Sequence, residues 1–253
     1  MPKYDLLLQP PLLNAAGSLG FTPDPRGPLD LSLLGAFITN PVSMRPRKSA
    51  KGTRYVDFPG GFLLHTGYPN PGLRAVQRKH GTRWARSPVP IVVHVLFTCI
   101  DDFEMMANLL ENVSGVSGIE LGLPPEADVE LVSAVINSLG GELPIILRLP
   151  VDRAVLIVNA LDEELASKVS AVSIAPPRGA LPDMNNNVVQ GRLYGQAVFP
   201  GALAVVKSIA QFTVPIIAAG GVYHPQQVRL LMDVGAMGVQ LDAVLWRSGW
   251  PPY

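Results

Sequence analysis

The stretch "GIELGLPPEADVELVSAVINSLGG", Gly118–Gly141, spells one strand and one helix. Its first six residues, "GIELGL" (Gly118–Leu123), form a short apolar run of the kind buried on both faces of a parallel sheet. The part from Glu126 starts acidic, repeats its apolar residues at helical spacing and ends on Gly140 and Gly141, a helix-stop signal. Between strand and helix stand Pro124 and Pro125, which carry no group able to move a proton.

The same unit recurs on both sides. Further strand candidates are Pro11–Gly17, Ala36–Ser43 and Val89–Phe97 upstream, and Pro144–Pro150, Ala171–Pro176, Pro215–Gly221 and Gly238–Val244 downstream. Helical segments fit between most of them, among them "DDFEMMANLLENV", "GALAVVKSIAQF" and "HPQQVRLLMDVGA". Eight strands alternating with helices predict an α/β fold, a (β/α)8 TIM barrel, over residues 1–253 as a single domain. An open doubly wound sheet is the alternative, but no GxGxxG follows the first strand.

Two stretches depart from the repeat. After the eighth strand, "LWRSGWPPY" leaves no room for the usual closing helix. The tail residues Trp246, Trp250 and Tyr253, or another chain, are expected to cover the apolar groove this leaves between the seventh and first helices. The Pro/Gly/Asn-rich stretch at about 176–200 is expected to form a lid over the barrel mouth.

Composition narrows the function. Charged residues make up 16% of the chain against about 25% in an ordinary soluble domain, which fits a large core or a surface covered by a partner subunit. The formal net charge is zero, which argues against electrostatic capture of nucleic acid. The basic run "MRPRKSAKGTR" (Met44–Arg54) reads as a solvated loop. The single cysteine, Cys99, excludes an internal disulfide framework and a CxxC metal or redox motif, and suits a cytoplasmic protein. No apolar run reaches 18 residues, so no membrane insertion is expected.

Three segments look suited to a ligand. "NAAGSLG" (Asn14–Gly20) ends in small residues that let a flat molecule approach the backbone. "TGYPNPGL" (Thr66–Leu73) follows the second unit, and "VPIIAAGGV" (Val214–Val222) ends in the glycine pair typical of a phosphate cradle in barrel enzymes.

In order and spacing these segments resemble the dihydroorotate dehydrogenase family, the soluble FMN-dependent kind, from about Leu6 to Ser248. "GAFITNPVSMRPR", "GIELGLP", "PIILRLP", "GRLYGQAVFPGAL" and "GAMGVQLDAVLW" match further family segments. The resemblance implies a barrel that oxidises dihydroorotate to orotate in pyrimidine synthesis, a base taking a proton while hydride leaves for FMN. It also implies a flavin site built from Ala15, Ala16, Gly17, Ser18, Arg148, Gly195, Gly220 and Gly221.

Against the family pattern, Pro125 stands at the position of the catalytic base. Gly122 and Ala127 replace two asparagines, Asn40 replaces a lysine, and Leu64, beside His65 and Thr66, replaces a substrate-binding asparagine. The asparagine of strand six falls at Ala175 or Pro176. Arg148 keeps the charge of the lysine that faces the flavin. Asp242-Ala243 replaces the Gly-Thr that donates to the FMN phosphate, which sets a carboxylate against the phosphate.

Single residues have bland readings: Cys99 as filler at a helix start, Glu126 as a first-turn acid, His94 as a satisfied core histidine and His224 as a helix-entry cap. His65 lies at the barrel mouth, and Asp183 with Asn185–Asn187 forms a turn. No catalytic or metal-ligating residue is assigned. Three functions stay open. The first is a degenerate family member without base or flavin, kept as a structural or regulatory subunit with a protein partner or its own copies. The others are a working FMN enzyme with rearranged residues, and a barrel binding another small phosphorylated ligand.

Overall fold

The computed structural model describes residues 6–27, 29–247 and 250. Its strands are β1 (Leu12–Asn14), β2 (Phe37–Ile38), β3 (Tyr55–Phe58), β4 (Gly61–Leu64), β5 (Ile91–Leu96) and β6 (Val116–Gly122), followed by β7 (Ile145–Leu149), β8 (Ala171–Ile174), β9 (Arg178–Pro182), β10 (Val188–Tyr194), β11 (Ile216–Ala219) and β12 (Gly238–Leu241). The helices are α1 (Leu73–Trp84), α2 (Ile100–Glu111), α3 (Val129–Ser138), α4 (Ala154–Ala160), α5 (Glu163–Ser167), α6 (Phe199–Ile209), α7 (Pro225–Asp233) and the single turn α8 (Val244–Arg247).

Eight strands run parallel in the order β1-β12-β11-β8-β7-β6-β5-β2; seven lie within the predicted apolar runs, and β6 begins two residues before its run, at Val116. A parallel bridge, Leu13↔Ala36, brings the two end strands together and closes the barrel. Beyond that bridge the side chain of Asn14 replaces a backbone rung. Its Nδ2 donates to Ile38 O (2.7 Å) and its Oδ1 accepts from Ile38 N (2.9 Å).

The two-residue period of the strands sorts their side chains into layers. Val93, Val95, Leu121, Leu147 and Val172 face outward into the helix-covered core. Val92, Ile146, Ala171 and Ile217 face inward and, with Leu8, Leu13 and Ile38, form an apolar floor. Two residues further along their strands, His94, Arg148 and Ser173 stand above that floor, buried and polar. Dry layers below and around this polar storey fix its depth in the barrel.

The predicted lid region is a hairpin. Strands β9 and β10 join β4 and β3 in a four-stranded antiparallel sheet of order β3-β4-β10-β9 above the barrel mouth. Leu64 pairs with Arg192, and Asp183 holds the hairpin turn by accepting from the backbone N–H groups of Asn185 and Asn187. Of the three expected tail covers, Trp250 is buried in the outer core, Trp246 instead lines a cleft with Tyr68 and Tyr194, and Tyr253 lies outside the described residues. Glu126 precedes α3 by three residues instead of lying in its first turn, where Asp128 caps the helix by accepting from Leu131 N (2.9 Å). Gly140 and Gly141 follow the helix without capping it: Leu139 leaves in the extended region, and the left-handed Gly141 serves the next turn, where Glu111 accepts from Glu142 N and Leu143 N.

Candidate functional site

Titratable side chains of three neighbouring strands, His94 of β5, Glu120 of β6 and Arg148 of β7, meet inside the barrel. Glu120 of β6 is fully buried and accepts from Ser173 Oγ (2.7 Å), Gln240 Nε2 (2.6 Å) and Arg148 Nη1 (3.3 Å). His94 Nδ1 lies 2.6 Å from its Oε2. Burial alone would raise the Glu120 carboxyl, but the Arg148 guanidinium, His94 and Ser173 hold it well below the usual range. Burial pushes the His94 imidazole below its ordinary value despite the Glu120 hydrogen bond. Glu120 is therefore ionised and His94 neutral, with the proton on Nδ1. Arg148 Nη1 also donates to Gln240 Oε1 (2.8 Å).

Above this network lies a cleft of about 220 Å³, below the roughly 300–1,000 Å³ of most small-molecule sites. Its lining includes Ala16, Gly17, Asn40, Leu64, Thr66, Tyr68, Arg192, Tyr194 and Trp246. Arg192 lies over the Tyr68 ring, 4.1 Å from its centroid. Trp246 packs edge-on against Tyr194, with ring centroids 5.4 Å apart, and its Nε1 donates to Ser18 O (3.0 Å). Ser18 belongs to a closed turn in which its N and Oγ both donate to Ala15 O.

Beside the cleft, β11 ends in Gly220 and Gly221, both at positive φ. A Cβ on Gly221 would come within 2.8 Å of Gly195 O, so the three predicted glycines converge in one place. The Asp242 carboxylate reaches into it. It accepts from Ala243 N (2.5 Å) and is stabilised by the Gly221 backbone, yet burial lifts it to about 6.

A family model described as Dihydroorotate dehydrogenase matches residues 4–146, more than half of the chain. The chain belongs to the dihydroorotate dehydrogenase family. Among its curated relatives is the catalytic subunit of dihydroorotate dehydrogenase B (NAD(+)) of Desulforudis audaxviator, 32% identical over 118 residues. That match covers 47% of this chain and 38% of the relative. The subunit of the same description from Geotalea uraniireducens is 28% identical over 257 residues, covering 92% of this chain and 83% of the relative. That of Thermodesulfovibrio yellowstonii is 24% identical over 255 residues, covering 94% and 84%.

The dihydroorotate dehydrogenase family implies FMN, and the residues present do not fit it. Two backbone donors at that place, those of Ala243 and Gly221, already serve the Asp242 carboxylate. A phosphate brought there would meet a buried like charge. Arg148, the residue matched to the flavin-facing lysine, turns Nη1 to Glu120 and Gln240 inside the barrel. Trp246 is among the residues that line the small cleft.

The remaining predicted positions fall as follows. Ala16, Gly17, Asn40 and Leu64 line the cleft, whereas Pro125 is exposed on the β6–α3 loop and lies outside the cleft lining. Gly195 backs onto the turn between β3 and β4 at Gly60 and Gly61. His224 stands at the start of α7, its N–H bonded to Gln227 Oε1 (3.0 Å), and exposed Cys99 stands at the start of α2. His65 faces a separate groove with Thr53 and Asp183. The Glu120 network escaped the reading of single residues. Its signal was present as one His, one Glu and one Arg, each isolated in an apolar strand.

Proposed function

We propose that this barrel is a non-catalytic member of the dihydroorotate dehydrogenase family, kept as a structural or regulatory subunit of a larger assembly. The observation that carries this reading is the β6–α3 loop. It runs Leu123-Pro124-Pro125, and Pro125, at the base position implied by the resemblance, has no group that accepts a proton. The misfit of the flavin phosphate at Asp242 supports the same reading. So do the relatives, which are described as catalytic subunits and hence work beside other chains. A barrel whose chemistry is gone keeps its value as a shape to be bound.

The test is orotate formation by the purified chain, given dihydroorotate, FMN and an electron-accepting dye. No orotate above the protein-free control is expected. Turnover that scales with protein concentration would establish the second reading, a working FMN enzyme with rearranged residues. That reading is favoured by the closed turn Ala15–Ser18 and the left-handed pair Gly220–Gly221, which keep a shape compatible with a flavin.

A further inference from the structure

We propose that the segment Asp242–Trp246 is an internal plug that stands in for the cofactor, its carboxylate in the place of a phosphate and its indole in the place of a ring system. The inference rests on the reading of a flavin-free barrel and names the residues that enforce it.

Two contacts at opposite ends of one five-residue segment carry it. At one end, the carboxylate of Asp242 takes the N–H of Ala243 and is stabilised by the Gly221 backbone, beside the left-handed glycine pair that ends β11. An anion is thus present in the anion cradle, and it is covalently part of the chain. At the other end, Trp246 lines the cleft together with the small residues Ala16 and Gly17, with Tyr194 edge-on to its ring. Its Nε1 is held by Ser18 O, at the end of the turn whose small side chains would admit a flat ligand. An anionic group and a planar aromatic group, held a few residues apart on one short segment, reproduce the two recognition elements of a nucleotide-like ligand.

The plug has a capping role as well, because Asp242 O accepts from Leu245 N and so begins the turn that carries Trp246. Removing the carboxylate charge while keeping its shape therefore separates occupancy from folding.

The test titrates the full-length chain with FMN and with riboflavin, which lacks the phosphate, following quenching of flavin fluorescence. Wild type, Asp242→Asn, Trp246→Ala and the double variant are compared, with circular dichroism confirming the fold of each. Wild type is expected to retain neither ligand. Asp242→Asn should raise affinity for FMN at least 10-fold without affecting riboflavin. Trp246→Ala should raise affinity for both, and the double variant should bind FMN at least 100-fold more tightly than wild type. Folded variants that bind no better than wild type would overturn the plug and leave the non-catalytic reading standing. Wild type that binds one FMN per chain would overturn both. Should the double variant fail to fold, the single Asp242→Asn comparison of FMN with riboflavin decides the matter.

Discussion

Gly122 and His94 share one volume: a Cβ on Gly122 would lie 2.6 Å from His94 Nε2 and 2.9 Å from its Cε1. The imidazole cannot withdraw, because its Nδ1 is tied to Glu120. The glycine where the family has an asparagine is thus the steric counterpart of a histidine one strand away. Gly122→Ala is expected to destabilise the chain by about 1–3 kcal/mol through overpacking. In a His94→Asn background the same change should cost markedly less, a coupling that urea denaturation of the four proteins of the cycle would measure. Equal costs in both backgrounds would refute the steric link.

The Glu120 network predicts unequal effects from its members. Glu120→Gln leaves the buried Arg148 cation without its counter-charge and should cost about 3–5 kcal/mol. Ser173→Ala removes one hydrogen bond of several to Glu120 and should cost about 1 kcal/mol. Equilibrium unfolding distinguishes the two, and a Ser173→Ala loss as large as that of Glu120→Gln would contradict the ranking.

Asp242 makes stability depend on pH with a definite sign. Its carboxyl is lifted from 3.8 to about 6 in the folded chain, so the folded state holds the proton more tightly than the unfolded state. The resulting stabilisation, about 3 kcal/mol at most, is complete below the unfolded value and lost as pH rises through about 6. Asp242→Asn should therefore gain stability relative to wild type between pH 4 and pH 7, on the order of 2–3 kcal/mol. Thermal midpoints of both proteins across that interval check this, and a constant difference would show that Asp242 does not titrate there.

The Asn14 rung predicts a local effect. Asn14→Leu removes both partners of the Ile38 peptide and should cost about 2 kcal/mol, the loss of two buried hydrogen bonds. Amide hydrogen exchange at Ile38 should accelerate while that at Val93 in β5 stays slow. Unchanged protection at Ile38 would mean that the seam does not need the side chain.

The barrel was legible in the sequence because each of its strands is a short apolar run, a signal that survives without knowledge of neighbours. The stretch at about 176–200 was legible as a lid, but the sheet that roofs the barrel was not. β3 alternates exposed and half-buried residues, β9 carries Gly179 and Pro182, and β4 pairs with β10 across about half of the chain. β3, β4 and β9 are short, and β10 is interrupted by Gly191 and Arg192; pairing makes them strands. Of the residues expected at a flavin, Ala16 and Gly17 line the cleft, together with Asn40 and Leu64, two positions read as departures from the family pattern. The arrangement was not legible: the inward turn of Arg148 depends on Glu120 of the next strand, and the engagement of Asp242 depends on Gly221. Such pairings belong to the fold and are absent from any one segment.

The Asn14 contact also bears on how the chain is made. β1 leaves the ribosome well ahead of its ladder partner β12, which lies more than 200 residues further along the chain (Leu12↔Val239). At about 5–20 residues per second the nascent strand waits on the order of ten seconds or more for that partner. Ile38 lies only 24 residues beyond Asn14, so an amide side chain can tether the first strand to the second long before translation ends, shielding an otherwise naked strand edge from aggregation.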